Sequence, residues 1–246
     1  MDWTFGIALL VGFAPMFILM DRVMKNYTYP RVETPFFKDS TFFIMMTVGI
    51  FEGVFIFFAI RMLGLLESPL AIIYMVAVAL IELMAMVVVM NLKRFRGKSD
   101  SIFYGYALGL GMAAGMASGF AYVLCMLAQN PDTPLEDPIP VAIYVICLSI
   151  SLNLILGSCG TNVGEGIARH LPMQFMLQGA IPLVAYNMLF AVAWTANIVM
   201  LYILLIVMVL LGAFYFYKCL FRNLPAIIRE VLKMNGEKRD DIPKSR

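Results

Sequence analysis

Apolar residues run along the chain in seven long blocks, at 3–20, 41–66, 70–92, 101–129, 141–162, 172–193 and 196–219, parted by short polar or charged stretches. A helix rises about 1.5 Å per residue, so a hydrocarbon layer of about 30 Å takes about 20 apolar residues to cross. The blocks therefore predict an all-α fold, a polytopic integral membrane bundle of seven transmembrane helices. The connection near Thr195 is so short that the last two helices must form a tight antiparallel hairpin. Past the seventh block, Leu224, Ile227, Ile228, Val231 and Leu232 return at helical spacing, with Arg229, Glu230 and Lys233 on the other face. Pro225 suits the first turn of such a helix and Gly236 its end. This predicts a short C-terminal amphipathic helix lying on the inner leaflet, with docking onto protein as the alternative. The last ten residues, 237–246, are polar and read as disordered. The chain thus divides into a transmembrane domain, 1–220, and a cytoplasmic helix with a basic tail, 221–246.

Composition agrees with the pattern. Hydrophobic residues make up 62% of the chain and charged residues 14%, with a mean hydropathy of +0.87. Soluble domains hold about 45–50% and about 25%. This excludes a soluble enzyme, a secreted disulfide scaffold, a disordered chain and a collagen. The net charge of +2 is too small to argue for nucleic acid.

The placement of charge says more than its sum. Of the 18 Lys and Arg, all but Arg61 follow the first, third, fifth or seventh block or, as Lys218, stand at its last turn. The opposite loops hold Asp2, Glu67, Asp132, Glu136 and Asp137 and no basic residue. Basic loops stay in the cytoplasm, so the N-terminus is expected outside and the C-terminus inside. The first block reads as a span and not a cleaved leader, because Asp2 precedes it and Asp21 and Arg22 follow it. The Asn26-Tyr27-Thr28 sequon is then cytoplasmic and expected to stay unmodified. Four scattered cysteines and one histidine, His170, do not supply a zinc site. The cysteines read as small buried hydrophobes, with a Cys125–Cys147 disulfide as the alternative. No cofactor or metal is expected.

Ionisable groups within spans are functional candidates by default. Glu52 and Glu82 stand near the middle of the second and third blocks, and two carboxyls facing each other at one depth would keep one proton between them. Such a pair serves acid–base work or proton movement; the plainer reading is a hydrogen-bonded contact between helices. Arg61 is expected to snorkel to the outer interface. Asn153, Asn187 and Asn197 read as interhelical glue, at about 0.6 kcal/mol each. In the fourth block, Gly105 and Gly109 form one small-residue step and Gly111, Gly115 and Gly119 a second. Two such registers let neighbours close on both sides, which predicts this helix at the bundle centre. In the fifth, Gly157, Gly160, Gly164 and Gly166 each cost about 1 kcal/mol of helix relative to Ala, which predicts a break before the cytoplasmic face. This stretch lacks the Lys of a phosphate loop. Ser158 and Cys159 are nucleophiles by type, but no acid orients His170, so a catalytic pair is not expected.

Residue Glu82, the basic loop after it, Asp100-Ser101-Ile102-Phe103-Tyr104-Gly105 and Gly109-Leu110-Gly111-Met112-Ala113 together carry a family resemblance. So do the polar stretch 21–37, with Pro30 and Pro35, and Ala185-Tyr186-Asn187. Over about residues 10–190, at low identity, the chain resembles the PrsW-type intramembrane proteases, relatives of the CAAX prenyl endopeptidases. That family carries a Glu-Glu-x-x-Lys helix, an Asp-Gly-x-x-Tyr-Gly turn, a Glu-Asn pair and two His-bearing helices. Here Ile81 replaces the first Glu and Ala85 the Lys, Ser101 stands for Gly, and Met116-Ala117 for Glu-Asn. Gly157 stands where the first His is expected, and the second is absent. The resemblance implies a degenerate member. The seven-span layout and glycine-striped fourth helix are also similar to the Aph scaffold subunit of γ-secretase.

Three readings follow. The favoured one is a non-catalytic, PrsW-like membrane scaffold or substrate-binding subunit. The second is an active intramembrane protease with an altered site of Glu82, Asp100 and Glu52. The third is a small proton-coupled transporter using Glu52, Glu82 and the broken fifth helix. The expected partners are the lipid bilayer and a membrane protein or a second copy of the chain, without nucleic acid. A prokaryotic plasma membrane is expected, because no sorting signal appears and the resemblance is to a family common in bacteria and archaea.

Overall fold

The structure, a computed structural model, describes residues 3–128, 139–234, 236, 239 and 241–243. These form α1 (Thr4–Met24), α2 (Asp39–Met62), α3 (Ala71–Met90), α4 (Ser101–Ala128), α5 (Ile139–Ala168), α6 (Pro172–Trp194) and α7 (Ile198–Phe216). A π-helical segment, Tyr217–Asn223, then leads into α8 (Leu224–Met234). The fold is all-α, with no strand among the described residues, and seven helices are long and apolar enough to cross a membrane. Of the residues that set the charge asymmetry, Asp2, Asp132, Glu136, Asp137, Lys238, Lys244 and Arg246 lie outside the described residues.

Helix α4 is the axle of the bundle. It packs along α5 and α2 and, less extensively, α1; α3 lies against α6, and α7 against α5. Every residue from Ser101 to Ser118 is buried. Its glycines explain how. Gly105 and Gly109 press on the α5 backbone at Gly160, Gly164 and Leu156, while Gly111 and Gly115 press on the α2 backbone at Met46 and Ile50. Gly119 lies under the Phe57 ring. Helix α2 answers with Gly49 and Gly53, which sit on the carbonyls of Leu108 and Met112. At these points a Cβ would collide with backbone, so glycine sets the interhelical distance.

The expected break in α5 does not occur. The helix runs unbroken from Ile139 to Ala168. The glycines that weaken it alone let it seat directly on α4, with Gly160 against Gly105 and Gly164 against Ser101 and Ile102. Ser158 Oγ and Thr161 Oγ1 also donate back to the carbonyls of Leu154 and Gly157, at 2.7 and 2.9 Å. Tertiary packing overrides propensity here.

The connections after α1, α3 and α5 gather at one end of the bundle with α8. The Lys38 N–H donates to Tyr104 Oη at 3.0 Å, the Gly97 N–H to the Ile167 carbonyl at 3.1 Å, and Arg94 to Thr41 Oγ1 at 3.3 Å. The leaflet reading of α8 is corrected. Its apolar residues Leu224, Ile227, Ile228, Val231 and Leu232 are buried within the protein, in the same cluster as Tyr27, Val32 and Phe36. The loop after α1 supplies an aromatic surface, Tyr27 edge-on to Phe36 and both against Phe103, that takes the place of lipid. Part of the tail is held there too: Arg239 donates to the Thr34 carbonyl and sits 3.9 Å from the Phe36 ring centroid, and Ile242 is buried.

Candidate functional site

The three candidate carboxyls stand apart. Glu82 projects from α3 into the interior, 1% exposed. One of its oxygens, Oε2, accepts from Asn187 Nδ2 of α6 at 3.2 Å, and that amide also reaches the Met75 carbonyl at 3.4 Å. The other, Oε1, is buried without a partner among the described residues. Tyr186 and Cys159 are within electrostatic reach of the group, and Tyr186 Oη and Ser151 Oγ share a hydrogen bond at 2.8 Å. Of the carboxyl and amide side chains singled out within the spans, Glu82 and Asn187 are brought into direct contact.

Glu52 does not face Glu82. Glu52 lies about 15 Å from the Met62 end of α2 and Glu82 about 17 Å from the Ala71 end of α3 by residue count. However, α2 packs along α4 and α3 along α6, and the two helices scarcely touch. Glu52 is half-buried, and its Oε2 is enclosed without a partner among the described residues. The carboxyl pair needed for acid–base work is therefore not assembled.

Asp100 is at the bundle end, one residue before α4. Its carbonyl accepts from the N–H groups of Phe103 and Tyr104, and its side chain from the Tyr104 hydroxyl. Burial pushes its carboxyl above the ordinary aspartate value, and the Tyr104 hydroxyl and the Lys98 and Lys38 charges oppose that rise. Tyr104 Oη in turn takes the Lys38 N–H. Asp100 thus starts α4 and ties it to the entry of α2. Glu82 lies about 12 Å deeper by residue count along α3.

The remaining polar candidates link helices or end them. Asn153 Nδ2 donates to the Ser149 carbonyl at 2.9 Å and reaches the Gly12 carbonyl of α1 at 3.5 Å. Asn197 is not interhelical glue: it caps α7, accepting from the Met200 N–H at 3.0 Å, because it falls at the helix start. Arg61 pairs with Glu67 at 2.9 Å and stands 5.9 Å from the Trp194 ring centroid. All four cysteines are free, so Cys125 and Cys147 are not bridged. His170 closes the α5–α6 turn at φ 61°, beside Gly97. Among the described residues no three His, Cys, Asp or Glu side chains gather closely enough to share a metal ion.

A polar cleft of about 520 Å³ went unmarked in the sequence. It lies between α5, α6, the π segment and α8. Its walls include Asn162, whose amide bonds Tyr215 Oη, and Cys219, whose Sγ lies 3.6 Å from Asn162 Oδ1. Arg169 bridges Glu165 at 2.8 Å and Glu230 of α8 at 2.6 Å across the same cleft. These residues come from three distant stretches. The only local sign was an Asn and a Glu in a glycine-rich run, where they resembled loop residues. The chain matches no protein-family model, no curated protein and no solved structure.

Proposed function

We propose that this chain is a non-catalytic, PrsW-like membrane protein, N-terminus outside and C-terminus in the cytoplasm, that acts as a scaffold or substrate-binding subunit of a plasma-membrane assembly. The observation that carries the reading is the enclosure of Glu82. It is sealed among α3 and α6 side chains with the Asn187 amide as its hydrogen-bonding partner, while Asp100 and Glu52 stand elsewhere. A carboxyl placed this way holds two helices together and has no second acid to share a proton with. The concentration of basic residues at the end where the loops and α8 meet supports the orientation.

The protease reading needs Glu82, Asp100 and Glu52 around one reacting bond, and their separation argues against it. The transporter reading leaned on a broken fifth helix, and α5 is continuous. The test uses the tagged full chain in its native membrane. Glu82→Gln is expected to accumulate normally and to migrate on native gels with the wild-type assembly. Cleavage of a membrane-spanning peptide by the wild type, abolished by Glu82→Gln, would overturn the scaffold in favour of the protease. Labelling that places both termini on one face would overturn the orientation.

A further inference from the structure

At the basic end of the bundle, α1, the loop after it, the π segment and Pro225 enclose a cleft of about 470 Å³. Arg22, Lys25 and Arg31 line it, and among the described residues no Asp or Glu does. Its apolar lining comes from Val23, Leu220, Phe221, Pro225 and Pro243. Arg22 and Lys25 make no hydrogen bond or ion pair among the described residues, although each projects from the last turn of α1 or just past it. Arg31 bonds the Asn26 side chain, which also lines the cleft.

Tyr27 is the second, independent sign. It lines the same cleft at 3% exposure, and its hydroxyl has no hydrogen-bonding partner among the described residues. Its ionisation is pushed up by burial and drawn back by the nearby Arg229 charge, so it stands as a neutral donor facing a cationic space. The loop is set in advance. Thr28 Oγ1 donates to the Met24 carbonyl at 3.2 Å, and the N–H groups of Tyr27 and Phe36 bond the carbonyls of Met24 and Tyr27.

We propose that this cleft binds a phosphate-bearing anion, with Arg22, Lys25 and Arg31 as its counter-charges and the Tyr27 hydroxyl as a neutral donor. Guanidinium and ammonium groups provide the charge-assisted bonds that phosphate oxygens take. Uncompensated cations beside apolar side chains at the end of a membrane helix suit the headgroup and glycerol root of an anionic phospholipid. A soluble phosphate ester offers the same chemistry, and the two sources separate by experiment.

The purified full chain is placed in nanodiscs of phosphatidylcholine alone, or with a minority of phosphatidylglycerol. Lipid retained through mild delipidation is read by native mass spectrometry. In the soluble arm, inorganic phosphate and glycerol 3-phosphate are titrated against thermal unfolding of the phosphatidylcholine sample. Retention of one phosphatidylglycerol is expected, weakened by about fivefold for each cation removed in Arg22→Gln/Lys25→Gln. Tyr27→Phe is expected to weaken retention severalfold at unchanged yield. Lys93→Gln, a surface cation of another loop, is expected to leave it unchanged. Protection by the soluble phosphates without lipid retention assigns the same cleft to a soluble ester. Absence of binding in both arms overturns the proposal, as does equal loss in Lys93→Gln, which would mean diffuse surface charge.

Discussion

Gly105 of α4 and Gly160 of α5 stand in each other's way. A Cβ added to either would fall on the carbonyl oxygen of the other. The contact is backbone on backbone, so no rotamer change can relieve it. Gly105→Ala and Gly160→Ala are each expected to destabilise the protein by about 1–3 kcal/mol, the usual cost of overpacking. Gly6 of α1 has nothing within 4 Å of the same position. Gly6→Ala is expected to be neutral or to stabilise by up to about 1 kcal/mol. Thermal unfolding of the three variants in one detergent checks the order.

The Glu82–Asn187 contact predicts an asymmetry. Gln at position 82 still offers an acceptor to Asn187 Nδ2, so Glu82→Gln is expected to unfold with the wild type. Asn187→Leu removes the amide donor from a carboxyl that already has one unpartnered oxygen. It is expected to cost about 1–3 kcal/mol. The reverse order would mean that the negative charge at Glu82, and not the hydrogen bond, matters to the fold.

Asp100 gives a dependence on pH with a defined sign. Its carboxyl titrates higher in the folded protein than the ordinary value, chiefly through burial. The folded state therefore holds the proton more tightly than the unfolded one. The contribution is fully present below the unfolded value and is lost as pH rises through the folded one. Asp100→Asn is expected to flatten this part of the stability profile while Tyr104 keeps an acceptor. Chemical unfolding of both proteins across the acid range measures it, and an unchanged slope would count against the assignment.

The bridge between Arg169 and Glu230 crosses the polar cleft in which Cys219 is 5% exposed. Glu230 is largely solvent-exposed, so the pair contributes about 0.2–1 kcal/mol at most. Global stability should scarcely change in Glu230→Gln, but α8 should lift more often. With Cys125, Cys147 and Cys159 replaced by Ala, maleimide labelling of Cys219 is expected to quicken by up to about fivefold.

The seven helices were legible because lipid imposes one simple demand, an apolar run about 20 residues long, that local sequence must meet by itself. The largest departure from the blocks is at the end of α5, which runs to Ala168 where its block ended at 162. Its Gly157, Gly160 and Gly164 read as part of a break until α4 was set against them. Helix α8 misled for a related reason. Its stripe of Ile228 and Val231 has the same signature whether lipid or an aromatic loop covers it. Glu52 and Glu82 share a depth, which can be counted, but the face each presents depends on which helix lies beside it, which cannot. The Asn162–Tyr215 bond joins residues 53 apart in sequence, and neither carries a local sign of the other.

The π segment between α7 and α8 has a consequence for how the chain can be cut. An i→i+5 turn holds one residue more than an α turn, and each residue of an α-helix advances the winding by about 100°. Deleting one residue within 217–223 would restore ordinary winding and nearly keep the face of α8, whereas rewinding the segment as α-helix with every residue kept would swing everything downstream through about that arc. Ile228 and Val231 would leave the interior, and the charged side of α8 would be dialled toward Tyr27 and Phe36. The wide turn is the clocking element that aims the C-terminal helix.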